Sequence, residues 1–108
     1  TVISIILTMD LSSVIKNIML VRRFSKNWIE VSYKILERKP TDVYLKNGII
    51  IRSVKHPFHL IQLLNYGWSI SDYSDDVVVM KKEGYTIYCR TTKGFDLWHL
   101  IEIFENKT

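Results

Sequence analysis

The sequence predicts an α+β fold: an N-terminal helical arm, then β-β-α and β-β-β-α units forming a mainly antiparallel sheet of about five strands with helices packed on it. Three observations predict it. Apolar residues recur at helical spacing from Leu11 to about Arg38. The pair Asn47-Gly48 then separates two β-type runs, and three further β-type runs precede Asp96–Phe104, whose period is again helical. At 108 residues and 47% hydrophobic, the chain suits one domain with a modest core. Within it, residues 1–9 read as an edge-strand or disordered leader, 10–39 as the helical arm and 40–108 as the α+β body.

Asp10 is placed to cap the first helix, which carries Leu11, Val14, Ile15 and Ile18 on one stripe. Helical character runs to Arg38, and Pro40 ends it by pushing the preceding residue out of the helical region. One helix of that length is unusual, so a break is expected at Ser25-Lys26-Asn27. There Ser25 or Asn27 caps a second segment carrying Trp28, Val31, Ile35 and Leu36. Asp42 to Lys46 and Ile49 to Val54 flank Asn47-Gly48, the pair that best tolerates the positive φ angles of a type I′ hairpin. Pro57 suits a first helical turn, Phe58, Leu60, Ile61 and Leu64 supply an apolar stripe, and Gly67 suits a left-handed stop. Trp68 to Tyr73, Val77 to Lys81 and Tyr85 to Arg90 read as strands, divided by Ser74-Asp75-Asp76 and Lys82-Glu83-Gly84. Hairpin-then-helix therefore occurs twice, with Gly48, Arg52, Phe58 and Leu60 matching Gly84, Arg90, Phe95 and Leu97 at offsets of 36, 38, 37 and 37. Duplication of a β-β-α unit and chance reuse of a common unit both account for that.

The last helix carries the sharpest interaction signal. Leu97, Leu100, Ile101 and Phe104 lie on one stripe with Trp98 and Ile103 on its shoulders, an arc of roughly 220° against the ~100° of an ordinary surface helix. Such a helix is expected to need cover on two sides. Trp98, Ile101 and Phe104 are therefore the candidate interaction surface, with plain core packing as the alternative.

Charge is uneven. Residues 1–55 hold ten Lys/Arg against four Asp/Glu, and residues 56–108 hold five against seven, so +6 and −2 sum to the net +4. Lys16, Arg22, Arg23, Lys26, Lys34, Arg38 and Lys39 are expected to follow one side of the arm, with Arg22, Arg23, Lys26, Arg38 and Lys39 as a candidate phosphate-binding patch. On that alternative the chain is a small basic nucleic-acid binder, with Tyr44, Tyr85 or Tyr88 stacking on bases. A solvated helix face accounts for the same charges.

Chemistry-bearing motifs are sparse. His56 and His59 stand three apart at a helix entrance and could share a metal with His99 or Cys89, yet the sequence lacks any tight ligand pair such as Cys-x-x-Cys. Cys89 is expected to be a buried structural thiol, and as the single cysteine it forms no intrachain disulfide. Asp72, Asp75 and Asp76 lack the alternation and closing glutamate of a calcium loop and read as a solvated turn. The four glycines at 48, 67, 84 and 94 form no phosphate loop or dinucleotide fingerprint. No catalytic, cofactor-binding or metal-binding residue is assigned, and no cofactor is expected. The apolar run Val2-Ile3-Ser4-Ile5-Ile6-Leu7 is too short to span a bilayer, which takes about 20 residues, so a cytoplasmic protein without a membrane partner is expected. Residues 1 to 8 are expected to precede the natural start at Met9.

Two patches carry a resemblance. Arg90, then Phe95-Asp96-Leu97, then Glu102-Ile103-Phe104 form the first; Lys26-Asn27-Trp28-Ile29-Glu30-Val31, Tyr44-Leu45-Lys46-Asn47-Gly48 and Gly67-Trp68 form the second. Both resemble the region preceding the catalytic domain in archaeal members of the FkbM-type methyltransferase family, whose activity is S-adenosylmethionine-dependent methyl transfer. The resemblance covers most of Phe24 to Thr108. The family's cofactor-binding half, a strand followed by an acidic glycine-rich turn, is expected a few residues further on and lies outside these 108. What the resemblance implies is therefore architecture without activity: a non-catalytic docking module, as fragment or stand-alone descendant, that packs against another domain, a methyltransferase-like partner or a second copy.

Overall fold

A computed structural model describes residues 11–105, so the expected leader, the Asp10 cap and the last three residues lie outside the described residues. The arm is two helices, α1 (Leu11–Phe24) and α2 (Trp28–Glu37), with the expected break between them. Its cause is the side chain of Asn27, which occupies the N-cap position of α2 without capping it. Asn27 instead receives the Tyr44 N–H at 3.0 Å and the Ser25 hydroxyl at 2.7 Å, and donates to the Asp42 carbonyl at 2.8 Å. Lys26 N–H to Tyr44 O and Lys46 N–H to Phe24 O complete the tie, so the interhelical turn is hydrogen-bonded to the first hairpin. α2 ends at Arg38, held left-handed at φ 58°, with the Lys39 N–H returning to the Lys34 carbonyl as in a Schellman cap.

The first hairpin pairs β1 (Thr41–Tyr44) with β2 (Ile50–Val54). Its turn differs from the expected type I′. Gly48 has positive φ, 95°, and Asn47 does not; Gly48 N–H bonds the Leu45 carbonyl and the Asn47 Oδ1 accepts the Ile49 N–H. This is the three-residue loop in which a type I turn precedes a left-handed glycine. The two-residue type I′ geometry occurs instead at Glu83 and Gly84, φ 51° and 85°, between β4 (Val77–Lys82) and β5 (Tyr85–Arg90). α3 (Pro57–Asn65) precedes β3 (Ser69–Tyr73), which flanks β4, and α4 (Asp96–Phe104) follows β5.

The fold is α+β, and among the described residues five strands form two antiparallel sheets, β1-β2 and β3-β4-β5, where one sheet was expected. A bulge at Arg52-Ser53, opposite Asp42, with Ser53 left-handed at φ 51°, turns β2 off the extended path; the Asp42 carboxylate accepts the Ser53 N–H at 2.8 Å and the Arg52 Nη1 at 3.1 Å. Past that turn the Lys55 N–H reaches the Thr91 carbonyl at 2.7 Å, so the chain just beyond β2 meets the chain just beyond β5. Both sheets and the four helices of the described residues share one buried cluster, including Val21, Val31, Ile51, Leu60, Trp68, Met80, Leu97 and Ile101. The radius of gyration, 13.6 Å, is close to the ~13 Å of a compact chain of 100 residues.

Candidate functional site

The residues forming the resemblance patches come together as joints between elements. Arg90 ends β5 and Asp96 opens α4, and three hydrogen bonds join them: the Arg90 backbone N–H to Asp96 Oδ2 at 2.8 Å, its Nε to the same oxygen at 2.9 Å, and its Nη2 to Oδ1 at 2.8 Å. Those bonds hold the Asp96 carboxyl down at about 2. Gly94, at φ 73°, makes room for the fork, because a Cβ there would lie 2.7 Å from Arg90 Nη2. Trp68 is buried and donates its indole N–H to Glu105, whose carboxylate also receives Lys82 Nζ at 3.0 Å. With the Asn27 tie, these contacts fix helices onto hairpins.

The candidate interaction surface on α4 needs correction. Ile101 is 2% exposed and belongs to the core, and Phe104 is half-buried edge-on against Trp68 and Tyr85. Trp98 is exposed, but on the opposite shoulder from the exposed Ile103, with His99 and Glu102 between them on the outer face. The middle of the apolar arc is therefore core, and its two exposed edges are separated by polar residues on the solvent face. An uninterrupted apolar face occurs on α1 instead. Val14 and Val21 turn inward, whereas Leu11, Ile15 and Met19, at i, i+4 and i+8, are 61%, 52% and 57% exposed. Leu11 and Ile15 had been assigned to the packed stripe. The missed signal was the width of that stripe, since Val21 through Leu11 to Met19 spans about 160° at 100° per residue.

The basic patch divides as well. Arg22 stacks on Trp28 at 5.4 Å and Arg23 on Phe24 at 5.6 Å, beside Lys26 at the α1–α2 turn. Arg38 and Lys39 follow the other end of α2, which at ten residues is about 15 Å long. The tyrosines offered as a stacking platform also part: Tyr44 is on the first sheet, and Tyr85 and Tyr88, three apart on β5, face opposite sides of the second.

His56 and His59 form a stack of rings. Phe95 lies over His56 at 5.1 Å, His56 meets His59 at 5.4 Å, and His59 meets Trp98 at 5.4 Å, across the junction of α3 and α4. Burial lowers both imidazole pKa values, assisted by Lys55 for His56 and by His56 for His59. Among the described residues, no three His, Cys, Asp or Glu side chains are grouped to hold a metal. Cys89 is buried, and desolvation with the nearby Asp96 raises its thiol to about 11, the reverse of what a nucleophile requires. Asp72, Asp75 and Asp76 are exposed at the end of β3 and the turn after it.

No protein-family profile, curated protein or solved structure matches the chain.

Proposed function

We propose that the chain is a non-catalytic docking module that seats the outer face of α1 on an apolar, acid-rimmed surface of a protein partner. The observation that carries this is the stripe Leu11, Ile15 and Met19, exposed along two turns of a helix whose other side is already packed. Charge selects the occupant. Lys16, Arg22 and Arg23 are exposed on the same helix, and its first turn holds no acid. In a symmetric pair of copies a parallel arrangement opposes these cations to one another, and an antiparallel one sets Arg22 and Arg23 against the positive end of the other α1. A carboxylate-rimmed surface removes both conflicts.

The resemblance to the FkbM-type pre-catalytic region supplies the partner class: a methyltransferase-like catalytic domain, joined in the same polypeptide or separate, in the cytoplasm. Among the described residues no helix is long and apolar enough to cross a membrane. Calorimetric titration of the chain into the cofactor-binding domain of such an enzyme is expected to show a one-to-one complex that weakens in high salt and is lost on Ile15→Glu with Met19→Glu. No complex, or one indifferent to that double change, overturns the proposal. Self-association abolished by the same change assigns the face to a second copy. S-adenosylmethionine added to the chain alone is expected to give no heat of binding.

A further inference from the structure

Where the C-terminal end of α2 faces the entry to α3, the side chains of Lys34, Arg38, Lys39, Lys55, His56 and His59 line one cleft of about 350 Å³. Ile35, Pro40, Pro57 and Phe58 make up the rest, so none of its ten lining residues is acidic. The cations come from two separate segments, and their balance is incomplete. Glu37 pairs with Lys39 at 3.6 Å, and the carbonyl end of α2 favours Lys34 and Arg38. Among the described residues no carboxylate answers Lys55, whose ammonium lies 5.2 Å over the Phe95 ring. It stands two residues before Pro57, at the positive end of α3, where the first turn has no acid and no side chain caps the free amides. Positive charge at a helix N-terminus is unfavourable until an anion arrives, and amides there bind phosphate oxygens well. Arg38 adds a backbone observation, because it holds a left-handed conformation, φ 58°, at a cap position where glycine is usual.

We infer that this cleft is a binding site for the phosphate group of a small phosphorylated ligand. Arg38 supplies a fork for paired oxygens, Lys34, Lys39 and Lys55 supply charge, and the Phe58 amide supplies a neutral donor. The volume lies at the low end of ligand pockets, suiting one phosphorylated small molecule whose remainder packs on Ile35, Pro40 and Phe58. The α1 docking face plays no part in it.

The test uses inorganic phosphate and pyrophosphate, followed by amide and imidazole NMR shifts at low ionic strength. Saturable movement at Arg38, His56, Phe58 and His59 is expected, with a pyrophosphate dissociation constant at or below about 1 mM. Lys55→Ala is expected to weaken binding about tenfold. Arg38→Gly is expected to do the same while folding at least as stably, since it relieves the left-handed arginine, which separates loss of the site from loss of the fold. Arg22→Ala, an equal change of charge at the other end of α2, is the control and should bind as the parent does. The inference is overturned if no shift saturates, or if Arg22→Ala weakens binding as much as Lys55→Ala. It is also overturned if a single-stranded oligonucleotide binds about a hundredfold tighter than pyrophosphate with steep salt dependence, which would assign the cleft to nucleic acid.

Discussion

Replacing Asp96 by Asn should loosen the joint between β5 and α4 in a way that pH exposes. Hydrogen bonds from the Arg90 side chain, then from its backbone N–H, hold the Asp96 carboxyl at about 2 against an ordinary 3.8, with partial burial opposing them. At full strength that depression corresponds to about 2.4 kcal/mol. The Asp96 side chain is 23% exposed and that of Arg90 51% exposed, so solvent screening reduces the expected contribution to about 1–1.5 kcal/mol. The folded-state value is below the unfolded one, so the stabilisation is complete above pH 3.8 and disappears as pH falls through about 2. Urea unfolding of parent and Asp96→Asn should therefore differ by about 1–1.5 kcal/mol at pH 7, and the difference should narrow steadily from about pH 4.5 down to pH 2. A difference that is constant across that range, or negligible at pH 7, would refute the assignment of the joint to an ionised carboxylate.

On α4, Ile101→Ala should cost about 2–5 kcal/mol in urea unfolding, whereas Ile103→Ala, 59% exposed, should stay within about 0.5 kcal/mol, and equal losses would contradict the placement of the core face. Glu83→Asn should raise stability by about 0.5–1 kcal/mol, because Asn tolerates the left-handed first position of the type I′ turn that Glu83 occupies at φ 51°; an unchanged urea midpoint would show that the turn is not formed as described. Cys89, buried with its thiol raised to about 11, should react with a disulfide reagent at pH 8 only as fast as the protein opens, and prompt labelling in native buffer would contradict its burial.

Local pattern made most elements legible, because cues such as Pro57, Gly67 and the alternation in Tyr85–Arg90 act over a few residues. What escaped depended on partners distant in the chain. Asn47-Gly48 looked like the type I′ pair, yet the Asn47 side chain takes the Ile49 N–H in a three-residue loop, while Glu83, a poor candidate by composition, is forced left-handed by the flush pairing of Lys82 with Tyr85. One sheet was expected because five strands in sequence look continuous. The bulge at Arg52-Ser53 is set by the Asp42 carboxylate reaching across the hairpin. The basic patch was drawn as one line along a helical arm, and the turn made by Asn27 folded that line in two, which brought Arg38 and Lys39 beside Lys55 instead of Arg22.

The two greasy helices show why width of an apolar arc is an incomplete guide. α4 has the broader arc in sequence, but its middle, Leu97, Leu100 and Ile101, packs inward and His99 and Glu102 fill the solvent side between its two edges, so only the separated apolar shoulders Trp98 and Ile103 stay exposed. α1 has the narrower arc and buries Val14 and Val21 from one edge of it, leaving Leu11, Ile15 and Met19 contiguous. What exposes a patch is the offset between the apolar direction of a helix and the direction of its core contact. That offset is small on α4, where Arg90 and Asp96 clamp the first turn onto β5. On α1 the clamp lies at the other end, where Ser25 and Asn27 tie the chain to the first hairpin and thereby set the rotation of the whole helix. Single exposed apolar side chains are ordinary on a protein surface, whereas three stacked on successive turns beside a cationic flank form the contiguous patch on which the proposed docking rests.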